Sequence, residues 1–251
     1  MKRLLSLLCA AALLLTGCGA LSEEALRGYD RNLGYVYLTL GSYPQTRDGE
    51  VRPILWRVLT VDDEKAYLCS EYILFARELH SSLTEYKKIG ADFGQTELCA
   101  YLNGEFARQA FTEAELEILL PCETFGKVFL LDGADLKNKD IGMGEKTKIT
   151  QSAGLRAWGT EYAVANGLFV YLKKYGSHSP YWVRNQSTTD KRHGRCTKAT
   201  GVLGHIESGR DNEGVRPAVY LKTGGYEIAG GSGTMEDPYE IRPKSDGIGQ
   251  E

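Results

Sequence analysis

Two periodicities alternate along the chain. Tyr35-Val36-Tyr37-Leu38 opens a β-rich run, and Gly41-Ser42-Tyr43-Pro44 has the composition of a turn. Ile54 to Val61 and Lys65 to Ser70 are two further β-rich runs, separated only by Asp62-Asp63-Glu64, which predicts a hairpin. Helical spacing follows: Leu98, Tyr101, Leu102 and Phe106 recur on one face. Thr112 with Glu115 forms a capping box ahead of Leu116, Leu119 and Leu120, with Pro121 as the stop. Lys127 to Leu131 reads as a short strand closed by Asp132-Gly133, and Lys137 to Thr150 as an exposed loop. Thr160 caps a helix over Glu161 to Asn166 that Gly167 ends. Tyr181 to Arg184, Val202 to Ile206 and Val215 to Leu221 return to strand pattern. Strands, then helices, then strands predict an α+β fold: a mainly antiparallel sheet with a few short helices and long loops.

The first eighteen residues follow a different rule. Lys2 and Arg3 precede an apolar stretch from Leu4 to Leu15 interrupted only by Ser6, too short for the roughly 20 residues of a spanning helix. The stretch ends in Leu15-Thr16-Gly17-Cys18, which resembles the lipobox of bacterial lipoproteins, where the cysteine thiol receives diacylglycerol before cleavage. The expected organisation is a cleaved signal over 1–17, a tether over 18–32 anchored to membrane lipid through Cys18, one globular domain over 33–223, a β-hairpin extension over 224–241 and a polar tail over 242–251. The expected location is extracytoplasmic, on the bacterial cell membrane.

Loss of Lys2 and Arg3 with the signal leaves 28 basic against 33 acidic residues, a net charge of −5, which provides no global basic field for nucleic acid. The 29 glycines and 15 tyrosines favour a turn-rich fold over a helix bundle. With Cys9 removed and Cys18 lipidated, Cys69, Cys99, Cys122 and Cys196 remain. None forms a C-x-x-C pair, and Cys69 and Cys99 stand at apolar-periodic positions, so structural thiols are expected, with one disulfide as the alternative. Val51-Arg52-Pro53-Ile54-Leu55 and Val215-Arg216-Pro217-Ala218-Val219 are alike and read as two similar edge strands.

Several elements occur together in an order that resembles a known family. They are Leu40-Gly41-Ser42-Tyr43-Pro44-Gln45, Ile54 to Leu59, Tyr101-Leu102-Asn103 with Phe106, Lys127 to Leu131, Thr160 with Tyr162-Ala163, Tyr181 to Arg184, and Gly214 to Ala218. Their order is similar to that of an uncharacterised domain of bacterial surface and secreted proteins, domain of unknown function six-two-seven-three. Tyr181 stands where that family usually has the first of two tryptophans. The resemblance implies a C-type-lectin-like or formylglycine-generating-enzyme-like fold and carries no activity with it.

Three constellations are chemically suggestive. Asp190, His193, Cys196 and His205 offer metal donors, but their spacing fits no standard zinc module and Lys191, Arg192, Arg195 and Lys198 surround them, so neither metal nor cofactor is expected. Cys196 with His193 or His178 is the only visible nucleophile–base pair, the basis of an alternative reading as an envelope enzyme. Tyr181, Trp182, Arg184 and Asn185 combine aromatic faces with polar neighbours and form the candidate ligand platform. Arg57, Arg184 and Arg216, each on or beside an apolar strand, are read as internal hydrogen-bond donors before anion ligands. The leading expectation is a non-catalytic binding module for cell-wall glycan, host glycan or an envelope protein, with a purely structural lipoprotein as a further alternative.

Overall fold

In the computed structural model, residues 25–144, 153–171, 176–187 and 190–244 are described. The strands are β1 (Val36–Pro44), β2 (Val51–Val61), β3 (Lys65–Ser70), β4 (Phe75–Ala76), β5 (Leu119–Leu120), β6 (Val128–Leu130), β7 (Tyr181–Gln186), β8 (His193–Thr197), β9 (Leu203–Glu207), β10 (Gly214–Val215), β11 (Pro217–Lys222), β12 (Tyr226–Gly230) and β13 (Tyr239–Pro243). Short helices α1 (Leu83–Lys88), α2 (Glu97–Tyr101), α3 (Ala107–Ala110) and α4 (Glu113–Glu117) fall between β4 and β5, and α5 (Glu161–Ala165) precedes β7. The larger sheet has the order β12-β13-β1-β2-β3-β11-β5, with β6 also paired to β11; the smaller has the order β4-β10-β7-β8-β9. Every pairing is antiparallel except β1 with β13 and β10 with β7. The architecture is sheet-rich α+β, as the segregated pattern predicts.

The β2–β3 hairpin turns where the sequence places it, because the Asp62 carboxylate accepts from the amides of Glu64 and Lys65. Ile54, Trp56 and Val58 on β2 and Leu68 on β3 are fully buried, and Leu102 and Phe106 cover this core from a π-helical turn (Leu102–Phe106) that joins α2 to α3. Asn103 stitches that turn to β6: its amide group donates to the carbonyls of Cys99, Phe125 and Val128, and its oxygen accepts from the Val128 amide. The capping box at Thr112 and Glu115 is formed, and Thr160 caps α5.

Five expectations are corrected. Gly41 is not in a turn: β1 runs through it, and its φ of +66° makes a bulge between Thr39 and Ser42. Glycine is required there because a Cβ would come within 2.6 Å of the Ala110 carbonyl and the Phe111 ring. Leu119 and Leu120 are not helical. A single turn gains little from propagation, so α4 stops at Glu117 and both leucines pair with Leu221 and Tyr220 on β11. The segment 18–32 is not tether throughout, since Leu26 lies in the core and the Tyr29 amide donates to the Leu59 carbonyl. The 224–241 hairpin is integral to the domain, because β13 pairs with β1 and Tyr226, Ile228 and Ile241 are core residues. The alike Val-Arg-Pro segments are not edges: β2 lies between β1 and β3, and β11 between β3 and its partners β5 and β6. The stretch 145–150 of the expected loop, and the segments 1–24 and 245–251, lie outside the described residues.

The chain passes between the two sheets at β3 to β4 and again at β10 to β11, and buried arginines stand at these crossings. Arg216 donates from Nε to the Ser70 carbonyl at 2.6 Å, and Arg57 is paired to Glu71 at 2.6 Å while donating to the Gly154 carbonyl. Arg57, Glu71 and Arg216 are all buried, so the arginines hold the fold together, as a guanidinium does when its donors meet carbonyl and carboxylate oxygens.

Candidate functional site

The expected ligand platform is not at the surface. Trp182 is 0% exposed and Tyr181 1%. Strand β7 is covered on both faces, so alternation of side chains leaves neither ring in water. The Trp182 indole N–H donates to the Arg77 carbonyl at 2.7 Å, and the Tyr181 hydroxyl to the Leu155 carbonyl at 3.0 Å. Arg184 donates to the Leu130 carbonyl and pairs with Asp132 at 2.7 Å, and the Asn185 side-chain oxygen accepts from the Gly133 amide. Arg184 and Asn185 bind β7 to β6 and the turn after it, whereas Trp182 and Tyr181 tie β7 to the segments that carry Arg77 and Leu155. Cys18 lies outside the described residues.

The metal constellation does not assemble, and His193 is set apart from Cys196. On β8 the side chains alternate, which sets Cys196 on the face opposite His193 and Arg195. His193 lies 3.4 Å from Asp190, whose carboxylate is occupied by Arg192 at 2.8 Å and held well below the ordinary carboxyl range by that hydrogen bond. His205 Nδ1 is 3.2 Å from the Ser187 hydroxyl. The His178 ring packs on Trp158, 4.1 Å between centroids. No cluster of three or more metal-ligating side chains occurs among the described residues. Cys69, Cys99, Cys122 and Cys196 are free, buried thiols.

Cys196 instead faces a pocket of about 300 Å³ lined by Phe169, Tyr171, Lys198, Arg210, Asn212 and Glu213, among others. Local folding sets each wall. After α5, Gly167 at φ +100° reverses the chain, Leu168 is buried, and the Phe169 amide donates to the Asn212 carbonyl at 2.9 Å. Phe169 and Tyr171 are each 41% exposed and meet edge to face at 4.8 Å. Gly204 stands opposite Cys196 in the β8–β9 register, and the stem of Lys198 fills the space a side chain there would take. Glu213 is fixed by its backbone: the Arg77 amide donates to its carbonyl, and the next amide, of Gly214, donates to the Pro180 carbonyl. Gly214 admits no side chain, since a Cβ would lie 2.7 Å from that carbonyl.

The electrostatics of the pocket follow from burial. Glu213 is 2% exposed, and its Oε1 has no hydrogen-bond partner among the described residues. Burial pushes its pKa up to about 7, against smaller downward effects of the Cys196 thiol and Arg210. Burial, followed by the neighbouring Glu213, pushes the Cys196 thiol far above its ordinary value. Burial, with Arg195, His193 and Lys198, lowers the pKa of His205. Lys198 and Arg210 make no ion pair among the described residues. A protonated thiol beside a carboxyl is a poor nucleophile, whereas an unpaired buried acceptor beside apolar walls and two cations is equipped to orient a ligand.

Sequence reasoning identified Cys196 and passed over Glu213, Phe169, Tyr171 and Arg210. The available signal was an acidic residue directly ahead of a Gly-Val-Arg strand. No family model matches this chain, and no curated protein or solved structure matches it.

Proposed function

We propose that the chain is a membrane-anchored, extracytoplasmic binding module that holds a small ligand in the Glu213 pocket and does not turn it over. The observation that carries the binding reading is the unpaired, buried Glu213 oxygen in a pocket of about 300 Å³, because an unsatisfied buried polar atom costs stability that a ligand donor recovers. The non-catalytic reading is supported by the raised thiol pKa of Cys196 and by the position of His193 on the opposite face of β8. The anchor reading rests on the Lys2-Arg3, Leu4–Leu15 and Leu15-Thr16-Gly17-Cys18 pattern. The same reading takes the fold as C-type-lectin-like, in keeping with the order of segments shared with the surface-domain family, and takes glycan or an envelope protein as the natural partner.

Two measurements test it. Cells expressing the chain are fed alkyne-tagged palmitate, and label retained by Cys18→Ser would remove the anchor. Titration of the mature chain with soluble cell-wall and host glycan fragments, beside Glu213→Leu, tests the pocket; binding that this variant leaves unchanged would remove the pocket as the site.

A further inference from the structure

The charges around Glu213 narrow the ligand class, on the footing that the pocket is the binding site proposed above. Among the described residues its lining brings two cations, Lys198 and Arg210, against one acid, Glu213, and ion pairs among those residues do not neutralise the cations. With Glu213 ionised, a ligand bearing one negative charge balances this set. A dianion would stand beside the Glu213 carboxyl, and the lining offers, among the described residues, no glycine-rich nest of amides of the kind that cradles phosphate. A free ammonium would face both cations. The buried Glu213 oxygen calls for a hydrogen-bond partner, and a hydroxyl meets it without adding charge. Phe169 and Tyr171 present partly exposed rings at the mouth, and flat, weakly polar faces of this kind stack on the C–H face of a pyranose. The volume of about 300 Å³ is at the lower end of small-molecule sites, enough for one residue of a glycan.

We infer that the pocket takes a carboxylated monosaccharide unit: its carboxylate meets Lys198 and Arg210, a hydroxyl meets Glu213, and its ring lies against Phe169 and Tyr171. The unit is either a free sugar acid or the end of an acidic glycan, since both display the same chemistry.

The test is calorimetric titration of the mature full-length chain in detergent with D-glucuronate, D-glucose, glucose 6-phosphate and phenylalanine, followed by an oligosaccharide ending in glucuronate. Glucuronate is expected to bind at least about tenfold more tightly than glucose. Lys198→Gln with Arg210→Gln is expected to bring that ratio close to one, and Lys137→Gln with Lys139→Gln, the same loss of charge elsewhere on the surface, to leave it unchanged. Glu213→Leu is expected to weaken both sugars; should that variant fail to fold, the Lys198 and Arg210 variants carry the test. The oligosaccharide binding more tightly than the free acid assigns a glycan end, and the reverse assigns the free sugar. Equal binding of glucuronate and glucose overturns the acidic-sugar inference. So does preferential binding of the phosphate or of phenylalanine, and in those cases loss of that binding in the pocket variants keeps the binding-module reading intact. Absence of binding by every compound overturns both.

Discussion

The Glu213 carboxyl lies against the Cys196 thiol at the base of the pocket, and the contact acts on the two groups in opposite directions. It helps to hold the thiol protonated, and it partly offsets the burial that raises the carboxyl. Nucleophilic chemistry is suppressed at the cysteine while a titratable carboxyl is kept near neutrality, and the predictions about the site follow from this pairing.

Thiol reactivity should be negligible in the native chain. Burial raises the pKa of Cys69, Cys99, Cys122 and Cys196 alike, and only the thiolate reacts. Titration with a disulfide reagent at pH 8 should count none of these four thiols in the folded protein and all four in denaturant. Rapid labelling of Cys196 in the native state would contradict the protonated-thiol assignment.

Stability should fall as pH rises toward neutrality through Glu213. The group has an ordinary pKa of 4.5 and about 7 in the fold. Between these values the unfolded chain releases a proton that the native state keeps, so unfolding is favoured progressively up to about pH 7. The penalty is full above that value and absent below pH 4.5, a difference of roughly 3 kcal/mol. Urea denaturation of wild type and Glu213→Gln at pH 4.5, 6 and 8 measures it: the variant should gain relative to wild type as pH rises. A constant difference across the series would refute the shift.

Removing Glu71 should destabilise the fold severely. Its carboxylate is the partner of Arg57 at 2.6 Å with both side chains nearly water-free, and Arg216, also buried, has two guanidinium nitrogens without hydrogen-bond partners among the described residues. Glu71→Ala leaves uncompensated positive charge between the sheets and should cost about 3–5 kcal/mol in a denaturant titration. A loss under 1 kcal/mol would mean that water reaches Arg57.

Trp182→Ala should act on stability and not on recognition. The side chain is wholly buried and its N–H is used by Arg77, so the expected loss is about 3–5 kcal/mol. Trp182→Phe keeps most of the volume, loses about 1 kcal/mol with the hydrogen bond, and should bind any pocket ligand with unchanged affinity. A folded Trp182→Phe that no longer binds would return β7 to the site.

Local elements whose signals are complete within a few residues were legible in the chain alone. Asp62 closes the β2–β3 hairpin with its own neighbours' amides, Thr112 and Glu115 satisfy each other across one turn, and Thr160 caps α5 three residues on. The segregation of strands and helices was sufficient for the α+β class. The tertiary structure decided everything that depends on which partner a segment meets. Leu119 and Leu120 suit either a helix or a strand, and β11 made them a strand. Trp182 suits either a platform or a core, and coverage of both faces of β7 made it core. The candidate site was out of reach for the same reason. Phe169, Cys196 and Glu213 come from three segments with no shared periodicity, and they meet because β10 pairs in parallel with β7 while β8 pairs with β7 on its other side. Chain-distant pairings of this kind are fixed by the free energy of the whole core, and local propensity contains no record of them.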